Sequence, residues 1–248
     1  MERVVEMIIT NDIPRDWKDL QNKVCKLLNE AGYPSESPKE INTVRGTVEV
    51  DVFSTSEDEL IKQFICECKF WNTPIPKEKV HAFRTVVNDS GSMVGIFISK
   101  MGYQSGAFEA AYCSNVLLKD WDGFIKLIEK QWLKRQLPRI KKIVHPLSVY
   151  TDFLDVPFEK LSEHEIEEYK KLNEKYMSVY IICRNLKYDI CSEDDIVVDG
   201  ISFSAYDELF EYFETVSLTA TKEYEELFKN NPVDKWKLEA WEHMLLDL

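Results

Sequence analysis

Val48-Glu49-Val50-Asp51-Val52-Phe53 and, shortly after it, Phe64-Ile65-Cys66-Glu67-Cys68-Lys69-Phe70 decide how this chain is to be read. Both stretches have the apolar content of buried strands, yet both carry charge. Successive side chains on a strand point to opposite faces, so Glu49 and Asp51 share one face while Ile65, Glu67 and Lys69 share another. Three carboxylates and a lysine are thus expected on two apolar strands, which the polar turn at 54–59 makes antiparallel neighbours. Charged groups in such a setting are costly unless they are paired or bind a metal. Two readings follow from the residues alone. Glu49, Asp51, Glu67 and Lys69 form a salt-bridged polar sheet face, or Asp51 and Glu67 lie side by side at a splayed sheet end and offer hard oxygen ligands that suit Mg²⁺.

Around these strands the periodicity switches repeatedly. Leu20, Val24, Leu27 and Leu28 recur at helical spacing between a cap at Asn11 or Asp16 and a stop at Gly32, predicting a helix over 17–31. A helix is expected over 77–88 after Pro74 and Pro76, a continuously apolar strand over 93–99, a helix over 105–113, a short strand over 115–118 and a helix over 121–136 ended by Pro138. Strands alternating with helices imply an α/β unit, a mixed sheet flanked by helices. Beyond Pro138 the pattern changes. Residues 143–153 read as extended, 163–176 as a charged helix, 179–183, 186–191 and 195–198 as a small meander, and 202–228 and 236–246 as acidic helices. The expected division is 1–140 for the α/β domain and 141–248 for an acidic α+β region of interaction or regulatory role.

Charge separates the same two parts. The net charge of −13 argues against a nucleic-acid partner, whose phosphates call for lysine and arginine. Residues 1–142, however, hold 21 Lys+Arg against 20 Asp+Glu, whereas 143–248 hold 10 against 24. The acidity therefore belongs to the C-terminal part, which is suited to a protein partner or to a second copy of the chain rather than to DNA. Six scattered cysteines without a C-x-x-C pair read as reduced core residues. No apolar run is long enough to span a bilayer and Met1–Glu6 does not resemble a signal peptide, so a cytoplasmic protein is expected.

The order helix, strand with Asp51, strand with Glu67-Cys68-Lys69, helix, strand resembles the PD-(D/E)xK nuclease superfamily. Leu27-Leu28 with Gly32-Tyr33, then Glu67-Cys68-Lys69-Phe70-Trp71, then Val94-Gly95-Ile96-Phe97-Ile98-Ser99 running through Gly102-Tyr103-Gln104-Ser105-Gly106 to Ala111, look more specifically like the Mrr-like restriction endonuclease domain, over residues 15–125. The resemblance implies a restriction-endonuclease-like fold and a metal-dependent endonuclease acting on DNA phosphodiester bonds, in restriction or defence against foreign DNA. It makes Asp51, Glu67 and the Cys68 backbone carbonyl ligands of Mg²⁺, for which Mn²⁺ can substitute, and Lys69 the catalytic lysine. Gln21 falls where many relatives carry an acid, and Val50 replaces the proline that names the superfamily. The competing functional readings are a catalytically silent DNA- or protein-binding subunit of a defence complex, and an interaction protein acting through its acidic region. Double-strand cleavage by a single-site nuclease would favour a homodimer.

Other residues remain candidates of a lower order. Glu49 is an accessory ligand or a solvated strand residue. Gln104 and Ser105 stand at a strand-to-helix turn where backbone N–H groups can hold a phosphate oxygen, or where glycines serve geometry alone. Trp71 stacks on a base or sugar, or packs at a strand end. The basic run from Lys126 to Lys142 lines a DNA channel or is a solvated helix face. Tyr206, Phe210, Phe213, Tyr224 and Phe228 have the spacing of helix contacts.

Overall fold

The computed structural model describes residues 7–58, 60–187 and 195–240. Its contacts divide the chain into two units, one of Asp12–Trp132 and one that joins Met1–Asn11 to Leu133–Leu248.

In the first unit Asp16 caps α1 (Trp17–Glu30), its carboxylate accepting from the N–H groups of Lys18 and Asp19 at 2.9 and 2.8 Å. Leu20, Val24, Leu27 and Leu28 form the buried stripe of this helix. The next strands are β1 (Ser35–Glu36), β2 (Lys39–Thr43), β3 (Gly46–Val50), β4 (Val52–Thr55) and β5 (Gln63–Lys69). There follow α2 (Lys77–Asp89), β6 (Val94–Ser99), α3 (Ser105–Ala111), β7 (Val116–Lys119) and α4 (Trp121–Tyr150). The main sheet has the order β1-β4-β5-β6-β7, with β4 antiparallel to β5 and β5, β6 and β7 mutually parallel. It is the expected mixed sheet, and β5 with the Glu67-Cys68-Lys69 run lies at its centre.

Residues 44–53, which the sequence allows as a strand pair or as one long strand, form two strands. Residues 46–50 pair with β2 in a separate hairpin, and the chain bends at Asp51 before β4 joins the main sheet. Gly46, at φ +120°, makes the hairpin turn in a region that side-chain-bearing residues avoid. Beneath the sheet Phe83, Val87, Phe97, Ile65 and Val80 form a closed apolar core, in which the Phe83 and Phe97 rings meet edge to face with centroids 5.4 Å apart.

The second unit differs from the sequence expectation. α4 does not stop at Pro138 but continues through Pro138 and Pro146 to Tyr150, so 143–150 is helical rather than extended. Each proline removes one N–H and costs helix stability, but Leu137, Ile140, Val144 and Leu147 are buried at helical spacing and outweigh that loss. α5 (Glu163–Asn185) takes in 179–183, and the expected meander is reduced to the hairpin of β8 (Ile196–Val198) and β9 (Ile201–Phe203). The expected strand 186–191 and Cys191 fall largely outside the described residues. α6 (Tyr206–Leu227) is the long acidic helix, and α7 (Lys235–Glu239) begins the last expected one, whose remainder also lies outside them. Met7 and Ile9 are buried in this unit, where the Ile8 and Ile9 carbonyls accept from the N–H groups of Tyr206 and Asp207, each at 2.9 Å. Tyr150, Tyr224 and Phe228 stack, the first two with centroids 4.9 Å apart, so these aromatics are core. Cys25, Cys66, Cys68, Cys113 and Cys183 are all unbridged.

Candidate active site

Pairing between β4 and β5 runs from Thr55↔Gln63 to Val52↔Cys66 and ends there, because the chain bends away at Asp51. β5 continues three residues further against β6, to Lys69↔Ser99. The sheet is therefore splayed where Glu67, Cys68 and Lys69 stand. The Asp51 carboxylate takes the place of the missing strand: its Oδ2 accepts from the Cys68 N–H at 2.7 Å. Its other oxygen accepts from the Gln21 side-chain amide of α1 at 2.6 Å. Both oxygens of Asp51 are thus oriented by groups on two different elements.

Lys69 completes the group. Its ammonium pairs with Glu67, lies 3.5 Å from Asp51 Oδ2 and reaches the Cys68 carbonyl at 3.5 Å. Asp51, Glu67 and Lys69 are 19%, 25% and 24% exposed, so the cluster is largely screened from bulk water yet still reached by it. Burial raises the pKa of Glu67, and the neighbouring Asp51 charge adds to that rise, against the opposing pull of Lys69 and Lys79. For Lys69, burial favours the neutral amine, but the charges and hydrogen bonds of Glu67 and Asp51 outweigh it and hold the ammonium.

Three oxygen donors, one each from Asp51, Glu67 and the Cys68 carbonyl, are gathered around one cationic group. Such a donor set, hard oxygens of which two are anionic and which water still reaches, suits a divalent metal. Among the described residues no group of three or more Asp, Glu, His and Cys side chains could hold a metal, and a metal at this cluster would have to rest on two carboxylates with backbone or amide oxygen.

Glu49 is not part of the cluster. It pairs with Glu40 across the β2–β3 hairpin and is exposed, because the bend at Asp51 separates the two residues that simple alternation would align. Gln104 and Ser105 are exposed at the start of α3, and the Gln104 N–H is committed to the Ile75 carbonyl at 3.0 Å, which removes it as a phosphate donor. Gln21 is brought in, as a donor to Asp51. Two neighbours escape a reading of the sequence. Lys18 donates to the Gln21 side-chain oxygen at 3.4 Å, and Lys79 acts on Glu67 through its charge. Lys18 and Gln21 are three apart on a helix, a spacing that signals their contact; nothing local signals Lys79.

A cavity of about 340 Å³ opens at the carboxyl ends of β5 and β6, with Phe70, Ser99, Lys100, Asp120 and Trp121 in its wall. Ligands of parallel α/β sheets occupy this end of the strands.

Residues 15–128 match the family model described as Mrr_cat, restriction endonuclease. No curated protein matches the chain. A solved structure titled "Crystal Structure of Protein of Unknown Function AF1548" aligns over 86% of this chain and 97% of that one, at 15% identity and a TM-score of 0.40, too low to carry an argument.

Proposed function

We propose, from the premise that residues 15–128 form an Mrr-like restriction-endonuclease domain, that the chain is a metal-dependent endonuclease hydrolysing DNA phosphodiester bonds. One observation carries this reading: Asp51, Glu67 and the Cys68 carbonyl all face the Lys69 ammonium at the splayed end of the sheet. Asp51, Glu67 and the Cys68 carbonyl would hold Mg²⁺ or Mn²⁺, which when bound polarises a phosphate and lowers the pKa of water. Gln21 and the Cys68 N–H fix the two oxygens of Asp51 before substrate arrives, so little reorganisation is needed. Lys69, held as an ammonium by its neighbours, donates hydrogen bonds to the attacking water and to the charge that develops on phosphate oxygen. The family resemblance supports a part in restriction or defence against foreign DNA.

The test is cleavage of plasmid duplex and of single-stranded DNA with Mg²⁺ by the full chain and by Asp51→Ala and Lys69→Ala, with circular dichroism to verify folding. Each variant should lose on the order of a hundredfold or more, the scale set by loss of a preorganised charge-stabilising group. Undiminished Mg²⁺-dependent cleavage by both would sink the assignment. DNA binding by the unsubstituted chain without any cleavage would favour a silent binding subunit instead.

A further inference from the structure

Two exposed tryptophans stand close in sequence to residues of the Asp51 cluster, Trp17 on the helix of Gln21 and Trp71 two residues beyond Lys69, and each has a lysine near its ring. Trp17, the first residue of α1, is 61% exposed, and the Lys18 ammonium lies 5.8 Å from its ring centroid. The same ammonium is 3.4 Å from Gln21, which donates to Asp51, so this pair touches the cluster through two hydrogen bonds. Trp71, two residues beyond Lys69, is 38% exposed, with the Lys79 ammonium 5.8 Å from its ring. Lys79 is near enough for its charge to favour the Glu67 carboxylate. A third pair stands beside them: Lys100 lies 4.3 Å from the Phe70 ring and is hydrogen-bonded to Asn72 at 2.9 Å, and Phe70 walls the cavity at the strand ends.

Indole faces are among the most favourable apolar surfaces to bury. Leaving two of them in water beside an anionic cluster, each with a cation at its ring, makes a surface of flat aromatic faces alternating with positive charge. Phosphodiesters match the lysines. The faces of unpaired bases match the indoles, whereas a duplex keeps its base faces stacked internally and offers only its backbone and the base edges in its grooves.

We propose that the Trp17–Lys18 and Trp71–Lys79 pairs grip an unpaired DNA strand on either side of the scissile phosphate, so that the substrate is single-stranded or locally unpaired DNA. This rests on the reading of the Asp51 cluster as a nuclease site, and it adds the substrate class and the residues that select it. Stacking is sequence-tolerant, so the grip selects strand state rather than sequence.

Binding is measured by fluorescence anisotropy in EDTA, where no cleavage occurs, with a labelled 20-nucleotide single strand and the duplex of the same sequence. The full chain should bind the single strand more tightly and show quenched tryptophan emission. Trp71→Ala and Trp17→Ala should each weaken single-strand binding at least fivefold, the low end for loss of one base-stacking contact. Duplex binding should hardly change, and Trp71→Phe should recover most of the loss. Unchanged thermal melting of the variants separates a lost contact from a lost fold. Equal losses for single strand and duplex, no loss for either, or no single-strand binding by the full chain would each overturn the proposal. Cleavage of plasmid duplex that depends on Asp51 while any of these holds would leave the nuclease assignment standing and remove only the unpaired substrate.

Discussion

At Glu67 the fold works against ionisation, and that has a measurable consequence in the metal-free protein. Burial, with Asp51 nearby, raises its pKa above the ordinary 4.5. A carboxyl whose folded pKa is raised holds its proton to higher pH than the unfolded chain does. Its contribution to stability is therefore complete below pH 4.5 and is lost as pH rises through the folded value. In EDTA the Tm of the unsubstituted protein should fall relative to that of Glu67→Gln between pH 4.5 and 7, and Mg²⁺ should reverse that fall by binding the folded state. A Tm difference that stays flat with pH would mean that burial at Glu67 is too slight to matter. The residues of this cluster were legible because a carboxylate and a lysine two apart on an apolar strand share a face, and the cost of that placement stands out in the sequence. Glu49 misled because alternation holds only along an unbroken strand. The roles of Trp17 and Lys18 were illegible because their local contacts reach the cluster only through Gln21, which packing brings to Asp51, and that of Lys79 because it meets Trp71 and Glu67 across separate elements.

Among the elements, β6 shows how closely the sheet and α2 are fitted. A Cβ added at Gly95 would overlap Val87 Cγ2 and come 2.8 Å from Phe83 Cε1, both on buried side chains of α2. The core has no space to take up the methyl, so Gly95→Ala should destabilise by about 1–3 kcal/mol. Urea unfolding measures this as a lowered midpoint at constant slope. A change below about 0.5 kcal/mol, the size of an ordinary surface substitution, would show that α2 rides freely over the sheet. The alternation of strands and helices from 17 to 119 was readable because each change of period is punctuated by glycine, proline or a capping residue. The same rule failed in α4. Pro138 and Pro146 read locally as stops, but a helix is decided by the whole of its buried stripe, and Leu137, Ile140, Val144 and Leu147 continue it across both.

For the whole molecule the proposed substrate sets a problem of charge, since a chain of net charge −13 repels DNA. The basic run of α4 contributes less than its composition suggests. Lys141 is 1% exposed and donates to the Arg184 carbonyl at 3.0 Å, and Arg139 is paired with Glu214 at 2.9 Å. The expected division near residue 140 falls inside this continuous helix, and the contacts divide instead at Leu133. No Gly/Ser linker marks that place, because a helix shared by two units leaves no break in the sequence. Affinity for a single strand should then rest on Lys18, Lys79 and Lys100 at the cluster rim. Three neutralised phosphates correspond to a slope of log K against log salt of about −2, at about −0.7 for each. Between 50 and 200 mM salt, binding should weaken roughly twentyfold. Anisotropy titrations across that range measure the slope directly. A value of −5 or steeper would bring the α4 run into the interface, and Lys126→Ala with Lys130→Ala would then reduce it, whereas a rim-only interface predicts no change from that pair.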